Sequence, residues 1–227
     1  MVARFPAVVA AFVCVSAMCV SAAEPTADDL RTFQETKAKA EAGDVDAQYK
    51  LGGMYAKSQG TTKDDVEAAK WYRKAAEQND PRGQSMLGVV YTNAKGVKMD
   101  YVEAMKWFNK AAAQGSAHAM YNLGYMYGSG KAGVKDDVQS AEWFRKAAEH
   151  NDRNSQRILG SMYALGRGVP KDPVQAYAWT SVAIASGDVA AQTQLAKLGE
   201  TLTPEQKSAA DKAAQEIQAR LPKPKAK

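Results

Sequence analysis

Side chains able to carry chemistry are few in this chain. His118 and His150 are its only histidines, and Cys14 and Cys19 its only cysteines, in 227 residues. A zinc site needs three or four such ligands brought together, whereas the histidines are thirty-two residues apart and neither belongs to a His-Glu-x-x-His string. Gly128-Ser129-Gly130-Lys131-Ala132-Gly133 matches the glycine string of a dinucleotide fold. That motif works where a strand leads into it and a helix opens at it, but here a helical pattern precedes it, which makes it a loop between helices. No Gly-x-Ser-x-Gly turn occurs, and the aspartates recur at positions that open helices. The residues therefore predict no catalytic group, no metal site and no cofactor, and leave recognition as the chemistry available.

The elements that would position a recognition surface are set by a ruler. Trp71, Trp107, Trp143 and Trp179 are the only tryptophans, each 36 residues after the last. Leu51, Leu87, Leu123 and Leu159 keep the same step, as do Gly52, Gly88, Gly124 and Gly160, and Tyr55, Tyr91, Tyr127 and Tyr163. A fixed period of this length marks a tandem array of one supersecondary unit. Within each unit the second helix opens at Asp64, Asp100, Asp136 or Asp172, with Glu67, Glu103, Gln139 or Gln175 three residues on, the pattern of a capping box. It closes at Gly43, Asn79, Gly115, Asn151 and Gly187, residue types that tolerate the left-handed conformation ending a helix. Asp44, Asp80, Ser116, Asp152 and Asp188 follow at once as N-caps of the next helix.

The first helix of each unit places its alanine, leucine and tyrosine four residues apart on one face, as in Ala119, Leu123 and Tyr127. A mid-helix glycine costs about 1 kcal/mol relative to alanine, so its recurrence in four units predicts close approach of a partner helix. The tryptophans and tyrosines are expected in the core between hairpins, with their N–H and O–H groups reaching a polar rim.

The string Leu-Gly-x-x-Tyr, a glycine-containing loop such as Gly166 to Asp172, then Ala-x-x-Trp-x-x-x-Ala-Ala closed by Gly or Asn resembles the Sel-one-like repeat, a helical hairpin similar to the tetratricopeptide repeat. The resemblance covers residues 28–200. It implies an all-α fold, a right-handed α–α superhelix or solenoid of antiparallel hairpins. The units are set at 44–79, 80–115, 116–151 and 152–187, after a capping helix of a degenerate repeat at 24–43. A half-repeat and a terminal capping helix follow at 188–221, where Ala210, Ala213, Ala214, Ile217 and Leu221 form one apolar face, and residues 222–227 form a basic tail. Local departures are Ala132 in the loop-glycine phase, Ser140 in place of alanine, and Thr180 and Ser181 after the last tryptophan.

The resemblance also implies that first helices line a concave face. Their phases not used for packing differ from unit to unit, and they offer Lys57, Arg82, Val89, Asn93, His118, Tyr121, Tyr125 and Arg157 as candidate groove residues. Tyrosine and arginine are the composition of binding hot spots. A protein partner is expected, with no nucleic acid, and the chain itself is expected to be a monomer. Some cysteine-rich secreted members of the family are linked to β-lactam binding or hydrolysis, a branch whose marker cysteines this chain lacks beyond residue 19.

Ahead of the array, Arg4 is the only charge before Glu24, and an apolar run from Ala7 to Val20 ends in Ser21, Ala22 and Ala23. This is the pattern of a cleaved secretory signal, too short for a comfortable membrane span. Residues 1–23 are therefore expected to be removed, taking both cysteines with them and leaving 29 basic against 25 acidic residues. Export to an oxidising space without a disulfide then follows, in the periplasm or outside the cell, with no membrane insertion after cleavage. The sequence reads as an exported protein-binding adaptor with a regulatory, assembly or inhibitory role; toxin sequestration and envelope scaffolding are the alternatives. Mass spectrometry of the protein from its native host should find a new N-terminus between Ala22 and Thr26, and an intact Met1 in a cytosolic fraction would refute export.

Overall fold

In the computed structural model of the chain, residues 25–131 and 133–222 are described, and every regular element among them is an α-helix. The secretory leader expected above, Ala132 and most of the basic tail lie outside the described residues. Helix α1 (Ala27–Glu41) precedes four hairpins: α2 (Val45–Lys57) with α3 (Asp65–Glu77), α4 (Pro81–Thr92) with α5 (Tyr101–Ala113), α6 (Ala117–Ser129) with α7 (Asp137–Glu149), and α8 (Arg153–Leu165) with α9 (Pro173–Ala185). Helices α10 (Ala191–Thr201) and α11 (Pro204–Arg220) both pack on α9. Up to α9 each helix packs on the one before and the one after, so the core is a row of small layers joined nearest neighbour to nearest neighbour. Ala210, Ala214 and Ile217 of α11 are buried against the last hairpin, with Ala213 and Leu221 packed beside them.

The expected caps form, with two corrections. Asp64, Asp100, Asp136 and Asp172 each accept the N–H three residues ahead at 2.9 Å. The reciprocal half of the capping box is missing in all four units. Each aspartate N–H instead donates to the carbonyl of Tyr55, Tyr91, Tyr127 or Tyr163, at 3.0 to 3.2 Å. With that donor already satisfied, the glutamate or glutamine has nothing to reach. Among the described residues both halves of the box form only at Thr26 with Asp29 and at Thr203 with Gln206. The second correction concerns Asp188, which does not cap α10; that helix begins at Ala191 with no side-chain cap. Asp188 spends its carboxylate on Arg157 Nε at 2.8 Å and on the Ala190 N–H at 3.0 Å. Gly43, Asn79, Gly115, Asn151 and Gly187 all have positive φ, between 64° and 97°, as their helix-ending role requires.

The mid-helix glycines have a specific partner. A Cβ on Gly52, Gly88 or Gly124 would come within 2.8, 2.5 or 3.0 Å of the ring of Tyr72, Phe108 or Phe144, the residue that follows the tryptophan in the same hairpin. In the fourth hairpin Thr180 takes that place; it would meet a Cβ on Gly160 at 2.4 Å, and its hydroxyl donates to the Ala176 carbonyl at 2.7 Å. Leu51, Leu87, Leu123 and Leu159 are fully buried. The four tyrosines expected in the core are half-buried at its edge, as is Trp143, whereas Trp71, Trp107 and Trp179 are buried. The hydroxyls of Tyr91 and Tyr163 do meet a polar rim, accepting from Arg73 and Arg145 at 2.7 and 3.0 Å. The Trp107 N–H does not: it is buried without a partner among the described residues. Lys74, Lys110 and Lys146 instead place their ammonium groups 3.8, 4.3 and 4.2 Å from the rings of Trp71, Trp107 and Trp143.

A polar ladder runs beside the apolar one. Buried Gln48, Gln84 and Gln156 donate through Nε2 to the carbonyls of Ala40, Ala76 and Ala148, in the last turn of the helix before. Gln78 and Gln114 then donate to the Oε1 of Gln48 and Gln84, each at 2.8 Å. The third unit replaces both members of the pair, with Met120 and His150. The fourth keeps Gln156 but has Ser186 where the donor should stand, and Gln156 Oε1 is left buried without a partner among the described residues. A buried amide oxygen without a donor bears its desolvation cost uncompensated. Ser186 shares the backbone conformation of Gln78 and Gln114, so Ser186→Gln should raise stability by about 0.5–1.5 kcal/mol. Denaturant unfolding measures this, and a fall in stability would refute the ladder.

Candidate binding groove

The first helices α2, α4, α6 and α8 make one layer of the array, in which α4 meets α6 directly. Side chains left outside the core pair across this layer. Arg82 of α4 bonds Asp46 of α2 and Asp80, its Nε to Asp80 Oδ1 at 3.0 Å, and its guanidinium lies 5.0 Å from the Tyr49 ring. Burial by itself would raise the Asp80 pKa, but the hydrogen bonds and charge of Arg82 and the Gly83 N–H outweigh it and hold the carboxyl below its ordinary range. Ser85 Oγ and His118 Nδ1 are hydrogen-bonded at 2.8 Å. His118 keeps solvent contact, yet the protein packed around its ring lowers its pKa below the ordinary histidine value, with Asp152 opposing weakly.

The eight candidate residues thus separate by what holds them. Arg82, His118 and Arg157 are tied to side chains of neighbouring units. Tyr121 is half-buried, its ring 5.8 Å from that of Phe144 at 65°, and Val89 packs on the core. Lys57, Asn93 and Tyr125 are exposed, Tyr125 to 51%.

Beside Tyr125 a cavity of about 240 Å³ opens between α6, α7 and α8, lined by Gly124, Phe144, Ile158 and Met162, with Ser129 and Arg167 among its polar residues. A related cavity of about 400 Å³ lies two hairpins earlier, lined by Tyr49, Gly53, Lys57, Tyr72 and Met86. Gly53 and Tyr125, Lys57 and Ser129, Tyr72 and Phe144, and Met86 and Ile158 share their phases across the two units. The apolar walls, Tyr72 and Met86 in one cavity and Phe144, Ile158 and Met162 in the other, are absent from the groove candidates. The signal available for them was the aromatic after each tryptophan, and the apolar Met86 and Ile158 at one phase of the first helices. The glycine string at residues 128–133 straddles the end of α6, where Gly130 closes the helix at φ 70°; it ends a helix and opens none.

A solenoid of helical hairpins with a repeated core and a variable inner layer defines a repeat scaffold for recognition. The chain matches the Sel1 repeat at residues 45–80, 81–116, 117–152 and 154–188, and it belongs to that family. Sel1 repeats are in general protein-interaction modules and not catalytic ones. The c5321 protective antigen of uropathogenic Escherichia coli, described as displaying an SLR fold, is 36% identical over 84% of this chain, with a TM-score of 0.78. The match covers 41% of that antigen, so the chain spans about two fifths of its length. A Sel1 repeat protein from Oxalobacter formigenes is 29% identical, with a TM-score of 0.72, over 87% of this chain and 78% of that one. The immunity protein Pa5087 of Pseudomonas aeruginosa shares the fold at 22% identity and a TM-score of 0.53, over 87% and 76% of the two chains. No curated protein matches the chain. No helix among the described residues is long and apolar enough to cross a membrane.

Because Asp80 is buried and Arg82 half-exposed, Arg82→Ala should destabilise the fold by about 1 kcal/mol, a charged hydrogen bond discounted for solvent screening. Tyr125→Ala should leave stability unchanged within about 0.5 kcal/mol, as a surface change does. Thermal unfolding of the two variants checks the contrast, and the reverse order would refute the division between tied and free residues.

Proposed function

We propose that this chain is an exported adaptor of a bacterial periplasm, binding a protein partner along the groove of its first helices. One observation carries the reading: positions that pack repeat from unit to unit, whereas positions facing away from the core in the first helices do not. That is the pattern needed when successive units touch different parts of one partner.

The contacts between units support the same reading. Arg82, His118 and Arg157 are held by Asp46 and Asp80, Ser85, and Asp188, so the surface around the free residues is fixed before a partner arrives. Less conformational freedom is then lost on binding. Tyr125 offers a rigid, amphipathic anchor of the type that dominates interface energies, and Lys57 a cation two hairpins away. The adaptor acts as a monomer, without cofactor or nucleic acid, and its regulatory, assembly or inhibitory consequence follows from which partner it holds.

The test is capture of a partner from an envelope extract on the mature chain, followed by titration. A Lys57→Ala, Tyr125→Ala double variant should keep its helical signal and melt within a few degrees of the parent, yet lose at least about tenfold in affinity, or roughly 1.4 kcal/mol. Unchanged affinity, together with a large loss on removing the residues after Leu221, would transfer the site to the basic tail.

A further inference from the structure

The cavity beside Tyr125 is built where the third unit departs from the other three. At the Tyr125 phase the other units carry Gly53, Val89 and Ser161; at the Gly128 phase, Ala56, Thr92 and Ala164; at the Ser140 phase, Ala68, Ala104 and Ala176. These departures fit one another. A Cβ on Gly128 would come within 2.7 Å of Ser140 Oγ, and that hydroxyl, buried, donates to the Gly124 carbonyl at 2.7 Å. Gly124 and Gly128 leave α6 bare of side chains over one turn, and Phe144, Ile158 and Met162 supply apolar walls. An apolar cavity of about 150 Å³ accepts benzene, so about 240 Å³ accommodates one large apolar side chain.

The surrounding charge decides what flanks that side chain. Arg167 donates to Asp137 Oδ1 at 2.8 Å and to the Gly128 carbonyl at 3.3 Å, and Lys135 reaches Asp137 Oδ2 at 3.1 Å. Lys131 lies 5.2 Å from the Tyr125 ring and 5.8 Å from the Tyr101 ring, and has no ion pair among the described residues. Three cations, Arg167, Lys135 and Lys131, therefore stand beside two carboxylates: Asp136, which keeps its charge while capping α7, and Asp137, which two of the cations share, so positive charge is in local excess. That excess attracts an acidic segment and repels the chain's own lysine-rich tail.

We infer that the cavity between the third and fourth hairpins takes one large apolar side chain, leucine, methionine or an aromatic, from an extended partner segment with a carboxylate close to that anchor. The inference rests on the groove reading above and names the partner's chemistry. The segment runs toward the related cavity near Lys50 and Lys57, two hairpins or about 20 Å away at about 10 Å per helix layer. Roughly six extended residues cover that distance, so a second acidic position is expected about six residues from the anchor.

The probe is a display library of random dodecamer peptides panned against the mature chain, with affinities of synthetic winners measured by titration. Enriched peptides should share a large apolar residue with aspartate or glutamate within three positions. Ser129, exposed and beside the cavity, gives a paired test that leaves the core untouched: Ser129→Glu should weaken binding at least tenfold and Ser129→Lys should keep or strengthen it, both variants melting like the parent. Enrichment of peptides with basic flanks, or of none, overturns the inference. So does binding that ignores the Ser129 pair but is lost with Lys57→Ala, an outcome that leaves the groove reading intact. Self-association of the chain that follows the Ser129 charge identifies a second copy as occupant and overturns it too. Peptides and captured partner that both ignore Ser129, Lys57 and Tyr125 overturn the groove reading itself.

Discussion

The first three hairpins each depend on one contact, the ring of Tyr72, Phe108 or Phe144 lying on the bare backbone of Gly52, Gly88 or Gly124. With no Cβ in the way, the two helices approach until the ring fills the space a side chain would have taken, and that burial offsets the helix propensity lost to glycine. The distance so fixed places the leucines at the centre of each layer and the tryptophans against the preceding hairpin, as Trp107 packs with Tyr72 and Leu87. Hairpin repeats on hairpin, so an error in this contact would be carried along the whole row. The fourth unit shows the limit of the device. Thr180 is smaller than a ring, and it lies against Gly160 closely enough for its hydroxyl to face that backbone while bonding its own helix at Ala176.

Much of this was legible because the array writes every structural rule several times over. One glycine at a helix end is a weak signal; five residues of glycine or asparagine at one phase, all with positive φ, are not. What stayed hidden was decided by contacts that no single helix contains. The tyrosines of the first helices and the aromatics after the tryptophans of the second share the same 36-residue step, and the period does not say which ring goes deeper. The reciprocal half of each capping box failed because the aspartate N–H was already bonded to a tyrosine carbonyl in the preceding helix, a competition visible only in three dimensions. The glutamine ladder escaped for a related reason: its partners are thirty residues apart, a step that is not the repeat length.

The groove candidates show the same separation of pattern from partner. Reading the unpacked phases of the first helices picked residues from one layer, but it treated them as equally available. Offsets of thirty-three residues bring Tyr49 to Arg82 and Ser85 to His118, and the residues so joined spend much of their hydrogen-bonding capacity inside the protein. Tyr121 and Tyr125 lie four residues apart on α6, yet one packs on Phe144 and the other stands in solvent. The difference arises because Tyr121 points toward the seam with the adjacent helix and Tyr125 toward the cavity mouth.

Tied residues such as Arg82 contribute to stability, because removing the guanidinium leaves a buried carboxylate at Asp80 with fewer partners. A new side chain at such a position must also serve the neighbouring unit. Free positions such as those of Lys57, Asn93, Tyr125 and Ser129 carry no such obligation. The third unit goes one step further: it has given up the Gln pair found in the first two, replaced alanine by Ser140, and opened a cavity at Gly128. The regular units on either side, each packed nearest neighbour to nearest neighbour, hold the altered one in register.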